Sequence, residues 1–122
     1  MKKRVVVIED DEAINDILSI MLTNYGYTVS SVRTADHIHY DDQFAPDLFV
    51  IDRNLPGVDG ISICREIKSR PSMSDVPVIM ISASPGFIEP AKAAGADACI
   101  EKPFSRSELF SVIDKYVTKE DI

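Results

Sequence analysis

Short apolar runs recur along the chain at intervals that suit the strands of a buried sheet. Four of them are continuous and too short to be helices: residues 5–8, 48–51, 78–81 and 98–100. Most are rich in β-branched residues, which favour strands buried on both faces of a parallel sheet. A weaker run, Thr28–Val32, alternates with serines and is typical of a strand at the edge of a sheet.

Between these runs the apolar residues take a helical spacing. After the first run they follow the i, i+3, i+4 rule of a one-sided stripe: Ile14, Ile17, Leu18, Met21 and Leu22. A shorter stripe follows the second continuous run: Gly60, Ile63, Cys64 and Ile67. Residues 34–43 and 85–94 have weaker patterns, and Pro90 limits any helix in the second of these segments to one or two turns.

The last helix has the most complete local signals. Ser105 and Glu108 have the spacing of a capping box, and Phe104 with Leu109 suits a hydrophobic staple. The predicted apolar stripe of this helix consists of Leu109, Ile113, Tyr116 and Val117.

Strand and helix therefore alternate five times, with no linker or repeat, which predicts a single domain over residues 1–122. This alternation predicts an α/β protein: a parallel sheet with right-handed crossovers and helices on both faces. Five such units fit a flavodoxin-like doubly wound sheet with strand order 2-1-3-4-5. Ligands of such sheets bind beyond the carboxyl ends of the strands, where the winding reverses, here between strands 1 and 3.

The composition narrows the classes of partner. A formal net charge of −7 argues against nucleic acid, whose phosphates need clustered basic residues. No apolar run approaches the roughly 20 residues that span a bilayer, and no signal peptide precedes the first strand, so we expect a cytoplasmic protein without a membrane partner. Cys64 and Cys99 lie in apolar runs without metal-ligand spacing, and we expect them to be buried hydrophobic side chains rather than a disulfide or a zinc site.

Polar side chains stand at the carboxyl ends of four predicted strands. In strand order they are Glu9 and Asp10, then Asp52, then Ser82, and finally Lys102. Two carboxylates 4 Å apart repel each other by about 4 kcal/mol at an effective dielectric near 20, so three of them need positive charge nearby. Lys102 supplies one charge, and an all-oxygen, water-accessible site suits Mg²⁺, which readily shares its site with a phosphate.

These side chains are equipped for phosphoryl transfer to a carboxylate. In this interpretation Asp52 attacks phosphorus, Asp10 holds the metal directly and Glu9 holds it through a bound water. Lys102 pairs with a phosphoryl oxygen, and the Ser82 hydroxyl donates to the product phosphate.

Two groups of residues can be explained without a metal or a catalytic role. Acids at a helix N-terminus cap the helix, so within the acidic run Asp11 is expected to be the cap and Glu12 a first-turn acid. His37 and His39, two residues apart on a helix, face in different directions and are interpreted as solvated surface rather than as metal ligands.

The chain resembles the receiver domains of two-component response regulators from end to end. Four motifs carry the resemblance: VVVIEDDE (5–12), PDLFVIDRNLPGVDG (46–60), PVIMISAS (77–84) and AGADACIEKPF (94–104). The resemblance implies a phosphoacceptor at Asp52, the acidic pair Glu9 and Asp10, the switch hydroxyl Ser82 and the lysine Lys102. It also implies that the backbone carbonyl of Asn54 is a metal ligand and that the Lys102–Pro103 bond is cis.

The implied function is signalling rather than enzymatic turnover. A sensor histidine kinase or a phosphotransfer protein phosphorylates Asp52 with Mg²⁺, or Mn²⁺ in its place, and the modified domain changes its contacts with an unknown output protein. Two alternatives remain: a degenerate receiver that serves as a binding platform, and a small phosphohydrolase with an Asp nucleophile. A phosphohydrolase of this kind requires an aspartate two residues after the nucleophile, where this chain has Asn54.

Two positions and one segment depart from the family pattern. Cys99 stands three residues before the lysine, where an aromatic toggle is usual, so an aromatic rotamer switch cannot operate. The segment 82–95 is short, and with Pro90 it shortens the predicted fourth helix. Much of the family signals through the face formed by helix 4, strand 5 and helix 5, so these departures argue against output through that face. Arg53 follows the acceptor where many members have an uncharged residue, and we expect it to line the mouth of the cleft.

Overall fold

The computed structural model describes residues 3–34, 45–84 and 86–117. Its centre is a parallel five-stranded sheet with strands β1 Arg4–Ile8, β2 Thr28–Val32, β3 Leu48–Asp52, β4 Val78–Ser82 and β5 Ala98–Glu101. The strand order is β2-β1-β3-β4-β5, so the predicted doubly wound, flavodoxin-like fold is confirmed. A short antiparallel ladder, Asn54–Leu55 with Val58–Asp59, follows β3.

Four helices connect or follow the strands in the described part of the chain: α1 Glu12–Tyr25, α2 Gly60–Ser69, α3 Ile88–Ala93 and α4 Arg106–Ile113. Helix α3 has six residues, as the position of Pro90 predicts. Most of the weak helical segment 34–43, with His37 and His39, lies outside the described residues. None of the described helices is both long enough and apolar enough to cross a membrane.

The sheet has a hydrophobic core on each face because its strands send alternate side chains to opposite sides. In β3, Phe49 and Ile51 pack with the cluster that contains the buried residues of α2 and α3. Leu48 and Val50 pack with the cluster that contains those of α1 and α4. Every residue of β3 is buried, whereas most of β2 is exposed, as expected for a strand at the edge.

The predicted helix caps are confirmed. The Asp11 carboxylate accepts a hydrogen bond from the Ile14 N–H at 3.0 Å, and this fixes the start of α1. Ser105 and Glu108 form both hydrogen bonds of a capping box at the start of α4. The Lys102–Pro103 bond is cis, as the resemblance implies.

Three expectations about burial were wrong. Ile17 is 56% exposed, because Asn15 takes a buried position on α1 and turns a different face of the helix inward. Tyr116 is 42% exposed, because α4 ends at Ile113 and the Tyr116 hydroxyl instead donates to the Asp97 carbonyl at 2.8 Å. Cys64 is fully buried, but Cys99 lies in the last strand of the sheet and is only half-buried.

Candidate functional site

The predicted polar side chains meet at the carboxyl edge of the sheet. Glu9 follows β1, Asp52 and Ser82 end β3 and β4, and Lys102 follows β5. The backbone N–H of Lys102 donates to the backbone carbonyl of Ser82 at 2.9 Å, and this bond joins the ends of β4 and β5. The edge of the sheet therefore brings these groups together as the strand-end argument expects.

Three acids form the centre of the site. Glu9, Asp10 and Asp52, here called the acidic triad, each offer one carboxylate oxygen, and these oxygens lie within 4.8 Å of one another. Glu9 is 0% exposed and Asp52 is 3% exposed, while Asp10 is half-buried. The triad is thus largely removed from the solvent that would screen its charges.

Lys102 holds two members of the triad. Its ammonium lies 2.7 Å from Glu9 Oε1 and 3.2 Å from Asp52 Oδ2. Burial alone would lower the pKa of Lys102, but its hydrogen bonds and the negative charges of Glu9 and Asp52 outweigh that effect and raise the pKa above its ordinary value. Lys102 is therefore a permanent positive charge in this cleft.

The surroundings of Glu9 raise the pKa of its carboxyl. Burial of this carboxyl, reinforced by the neighbouring Asp52 carboxylate, raises its pKa from 4.5 to about 8, although Lys102 acts in the opposite direction. Its second oxygen, Oε2, is buried without a hydrogen-bond partner among the described residues. A buried oxygen of this kind calls for a donor or a cation.

The triad fits a divalent cation. Its donors are all carboxylate oxygens, one of them lacks a partner, and the half-buried Asp10 opens the site toward solvent. Hard oxygen ligands of this kind suit Mg²⁺. A bound cation would also lower the raised pKa of Glu9, because nearby positive charge favours the ionised carboxylate.

Asn54 and Ser82 border the triad. The Asn54 N–H donates to Asp52 Oδ1 at 3.2 Å and so orients the carboxylate. Ser82 is fully buried, and its hydroxyl accepts from the Ser84 N–H at 3.0 Å. The Asn54 carbonyl as a metal ligand and the Ser82 hydroxyl as a phosphate donor stay predictions.

Sequence reasoning missed two residues that position the site. Asn15 donates its side-chain amide to the carbonyls of Glu9 and Val32, at 2.9 and 3.2 Å, and so ties α1 to the ends of β1 and β2. In the sequence, Asn15 stands three positions before Leu18 and seven before Leu22. This helical spacing places it on the same face of α1 as the two buried leucines.

The second is Gly60, the first residue of α2. A Cβ at this position would collide with the Asp52 carbonyl oxygen and lie 2.8 Å from the Arg53 Cα. The Gly60 N–H donates to the Arg53 carbonyl at 2.7 Å. This close approach of two backbones admits only glycine, and it holds the segment after Asp52 against the start of α2.

Comparison with known sequences shows the family. A sequence model of the response regulator receiver domain matches residues 5–114. The phosphate regulon transcriptional regulatory protein PhoB of Rhizobium meliloti (strain 1021) is 35% identical over 114 residues, which are 91% of this chain and 50% of that protein. The chain thus spans about half the length of this curated relative. It belongs to the response regulator receiver domain family.

Solved structures agree with this assignment. The signal receiver domain of a signal transduction histidine kinase from Syntrophus aciditrophicus matches with a TM-score of 0.84 and 26% identity, over 98% of this chain and 95% of that one. The receiver domain of sensor histidine kinase PA1611 from Pseudomonas aeruginosa PAO1 matches with a TM-score of 0.85 and 27% identity, over 95% and 98%. That structure has a magnesium ion coordinated in its active site cleft. The chain is a receiver domain of two-component signalling.

Proposed function

We propose that residues 1–122 form one receiver domain that accepts a phosphoryl group on Asp52 in a Mg²⁺-dependent reaction. The observation that carries this proposal is the Lys102 ammonium, held 2.7 Å from Glu9 and 3.2 Å from Asp52 beside a third carboxylate. A buried carboxylate with a fixed cation on one oxygen is prepared for the negative charge that a phosphoryl group adds. The domain therefore acts as a phosphoacceptor rather than as a turnover enzyme.

Each group in the cleft has a separate task in this reaction. Mg²⁺, or Mn²⁺ in its place, supplies positive charge for the phosphoryl oxygens. Its ligands would be Asp10, Asp52 and the Asn54 carbonyl, with Glu9 acting through a water. The Asn54 N–H fixes one oxygen of Asp52. Lys102 compensates the charge of the other oxygen.

The transfer itself needs no proton from this chain. An oxygen of the ionised Asp52 carboxylate forms a bond to phosphorus, and the bond from phosphorus to the donor breaks, with its electron pair leaving on the donor. Ser82 stands at the neighbouring strand end, where its hydroxyl can turn toward the new phosphoryl group. This rearrangement would pass the signal to the loop after β4.

The phosphodonor is proposed to be a sensor histidine kinase or a phosphotransfer protein of the same cytoplasmic compartment. An apolar groove of about 540 Å³ lies beside the cleft; Ile14, Ile17, Met21 and Phe104 are among the residues that line it. Lys102 lines it too, so the groove continues into the site. A protein that places a phosphoryl group on Asp52 would cover this groove at the same time. The output protein is a separate partner, and the net charge of −7 favours a protein rather than nucleic acid.

Phosphorylation by acetyl phosphate tests the proposal. With Mg²⁺, the wild-type protein is expected to gain one phosphoryl group in its intact mass, and Asp52→Asn is expected to gain none. Asp16→Asn is the matched control, because Asp16 is an exposed aspartate of α1 outside the cleft. Equal modification of wild type and Asp52→Asn would contradict the proposal, as would modification that continues after Mg²⁺ is removed with EDTA.

A further inference from the structure

An arginine stands at the mouth of the cleft, next to the proposed phosphoacceptor. Arg53 follows Asp52 and lines an open pocket of about 570 Å³ together with Asp10, Asn54 and Asp59. Asp10 also belongs to the acidic triad, whose oxygens lie within 4.8 Å of one another. The pocket therefore meets the acidic triad at Asp10, on the side of the triad that is open to solvent, and Arg53 is one of its walls.

The backbone of Arg53 is held in place. Its N–H donates to the Ile81 carbonyl at 2.9 Å, and its carbonyl accepts from the Gly60 N–H at 2.7 Å. These hydrogen bonds join the residue to β4 on one side and to α2 on the other. Only the far end of the side chain is left to change its partner.

The guanidinium has a weak partner. Its Nε lies 3.4 Å from Asp59 Oδ2, and the side chains of Arg53 and Asp59 are 26% and 45% exposed. Ion pairs between solvent-accessible side chains contribute little to stability, so exchanging this partner for another anion costs little. Arginine also offers several N–H donors in a planar fork that matches a carboxylate in a bidentate arrangement.

In-line transfer places the leaving group opposite the attacking oxygen. Asp52 is 3% exposed, so a leaving group opposite its attacking oxygen would lie toward solvent, on the side where Asp10 and Arg53 line the open pocket. We propose that Arg53 is a specificity-determining residue that favours phosphodonors whose leaving group departs as an anion, such as the carboxylate of an acyl phosphate. This inference rests on the proposed function of Asp52.

The two kinds of donor differ at the bond that breaks. With acetyl phosphate, Asp52 bonds to phosphorus, the acyl oxygen takes the electron pair, and acetate departs with a full negative charge that Arg53 can receive. With phosphoramidate, the nitrogen is already protonated, and it departs as neutral ammonia. Ammonia has no charge to attract a guanidinium, so Arg53 assists only the first donor.

The test compares the phosphorylation rates of Asp52 with acetyl phosphate and with phosphoramidate at saturating Mg²⁺. Arg53→Gln is expected to slow the reaction with acetyl phosphate about tenfold and to change that with phosphoramidate less than about twofold. Equal losses with both donors, or no loss with acetyl phosphate, would overturn the inference. If wild type reacts with neither donor, the proposed function of Asp52 fails as well, so the two failures are distinguishable.

Arg33→Gln is the matched control for charge. Arg33 has the same charge and contacts the Asp10 carbonyl through Nε and Nη2 at 3.4 and 3.3 Å, but it is not part of the pocket wall. It is expected to leave the ratio of the two rates unchanged. A donor-selective loss in Arg33→Gln equal to that in Arg53→Gln would show that charge at a distance is the cause, against the inference.

A second variant acts in the opposite direction. Asp59→Asn keeps the oxygen that accepts from the Ile61 N–H and caps α2, but it removes the charge that holds Arg53. The rate with acetyl phosphate relative to phosphoramidate is expected to rise about twofold to threefold. A fall in this ratio would contradict the inference. Titration calorimetry with Mg²⁺ should give similar affinities for wild type and Arg53→Gln, which separates leaving-group recognition from metal binding.

Discussion

At the residue scale, the surroundings of the buried Glu9 carboxyl raise its pKa strongly. Its pKa of about 8 exceeds the ordinary value of 4.5, chiefly because of burial. The unfolded chain releases this proton near pH 4.5 and the folded chain near pH 8, so the folded chain binds more protons between these values. Stability that depends on this proton is therefore lost as the pH rises, and a bound cation would reverse the effect.

We expect the free energy of unfolding of the metal-free protein to fall as the pH rises from 5.5 to 7.5. The contribution of Glu9 is at most about 1.4 kcal/mol per pH unit. Urea unfolding in EDTA measures it, and Glu9→Gln is the control because its amide does not titrate. The difference between the two proteins isolates Glu9 from the other titrating groups. A difference that grows in the opposite direction, or none, would contradict the assignment of the proton to Glu9.

At the scale of single elements, the segment from Asp52 to the start of α2 depends on glycines for two different reasons. Gly60 has no room for a Cβ, because the Asp52 carbonyl and Arg53 Cα are in the way. Gly57 has open space around its Cα, but its φ is +72°. The first position is restricted by packing and the second by backbone conformation.

Gly60→Ala is expected to destabilise the protein by about 1–3 kcal/mol, because the backbone must move to admit the methyl group. It should also slow phosphorylation, since Asp52 moves with its own carbonyl. Gly57→Ala is the matched control and is expected to cost about 1 kcal/mol for its positive φ. Urea unfolding and the rate with acetyl phosphate measure both effects. Equal behaviour of the two variants would disagree with this account.

Helix α1 presents two exposed apolar residues, of which Ile17 lines the groove beside the cleft. Ile17 and Ile20 are 56% and 60% exposed, while Leu18 and Leu22 are fully buried. Substituting both isoleucines with serine should leave the free energy of unfolding within about 0.5 kcal/mol of wild type, because the exposed side chains lose little burial. Phosphorylation by the protein donor should slow, and that by acetyl phosphate should not. Equal slowing with both donors would place the effect in the cleft rather than in docking.

The sequence predicts single elements well where a local signal decides. The Ser105 capping box and the short helix around Pro90 are set by neighbouring residues, and both are confirmed. The buried face of α1 was predicted less well. Ile17 has the right spacing for the core, but the contacts of Asn15 with two strand ends rotate the helix, and these contacts exist only in the folded chain.

At the scale of the whole molecule, the strand order and the convergence of the charged strand ends were predictable, because sheet topology follows from the alternation of strands and helices. The electrostatic state of the cleft was not. The raised pKa of Glu9 depends on burial by distant parts of the chain and on its distances to Asp52 and Lys102, and no local pattern contains those distances.

Binding of Mg²⁺ should stabilise the whole fold by mass action. At a Mg²⁺ concentration one hundred times Kd, the expected gain is about 2.7 kcal/mol, visible as a rise in Tm. Asp10→Asn should remove most of this gain by removing a ligand, and Asp16→Asn should keep it. A Tm that rises equally in both variants would indicate a site elsewhere or a general salt effect.

The burial of every residue of β3 would limit where a signal from Asp52, the proposed phosphoacceptor, could travel. A strand packed on both faces and bonded to a neighbour on each side opens to solvent only when the whole domain unfolds, so its amides should exchange with D₂O at the slowest rates in the protein. The proposed phosphoacceptor is thus attached to the part of the molecule that is expected to open least. A modification there would change amide exchange in the loops after β1, β4 and β5, and β3 itself would serve as the fixed reference for that change.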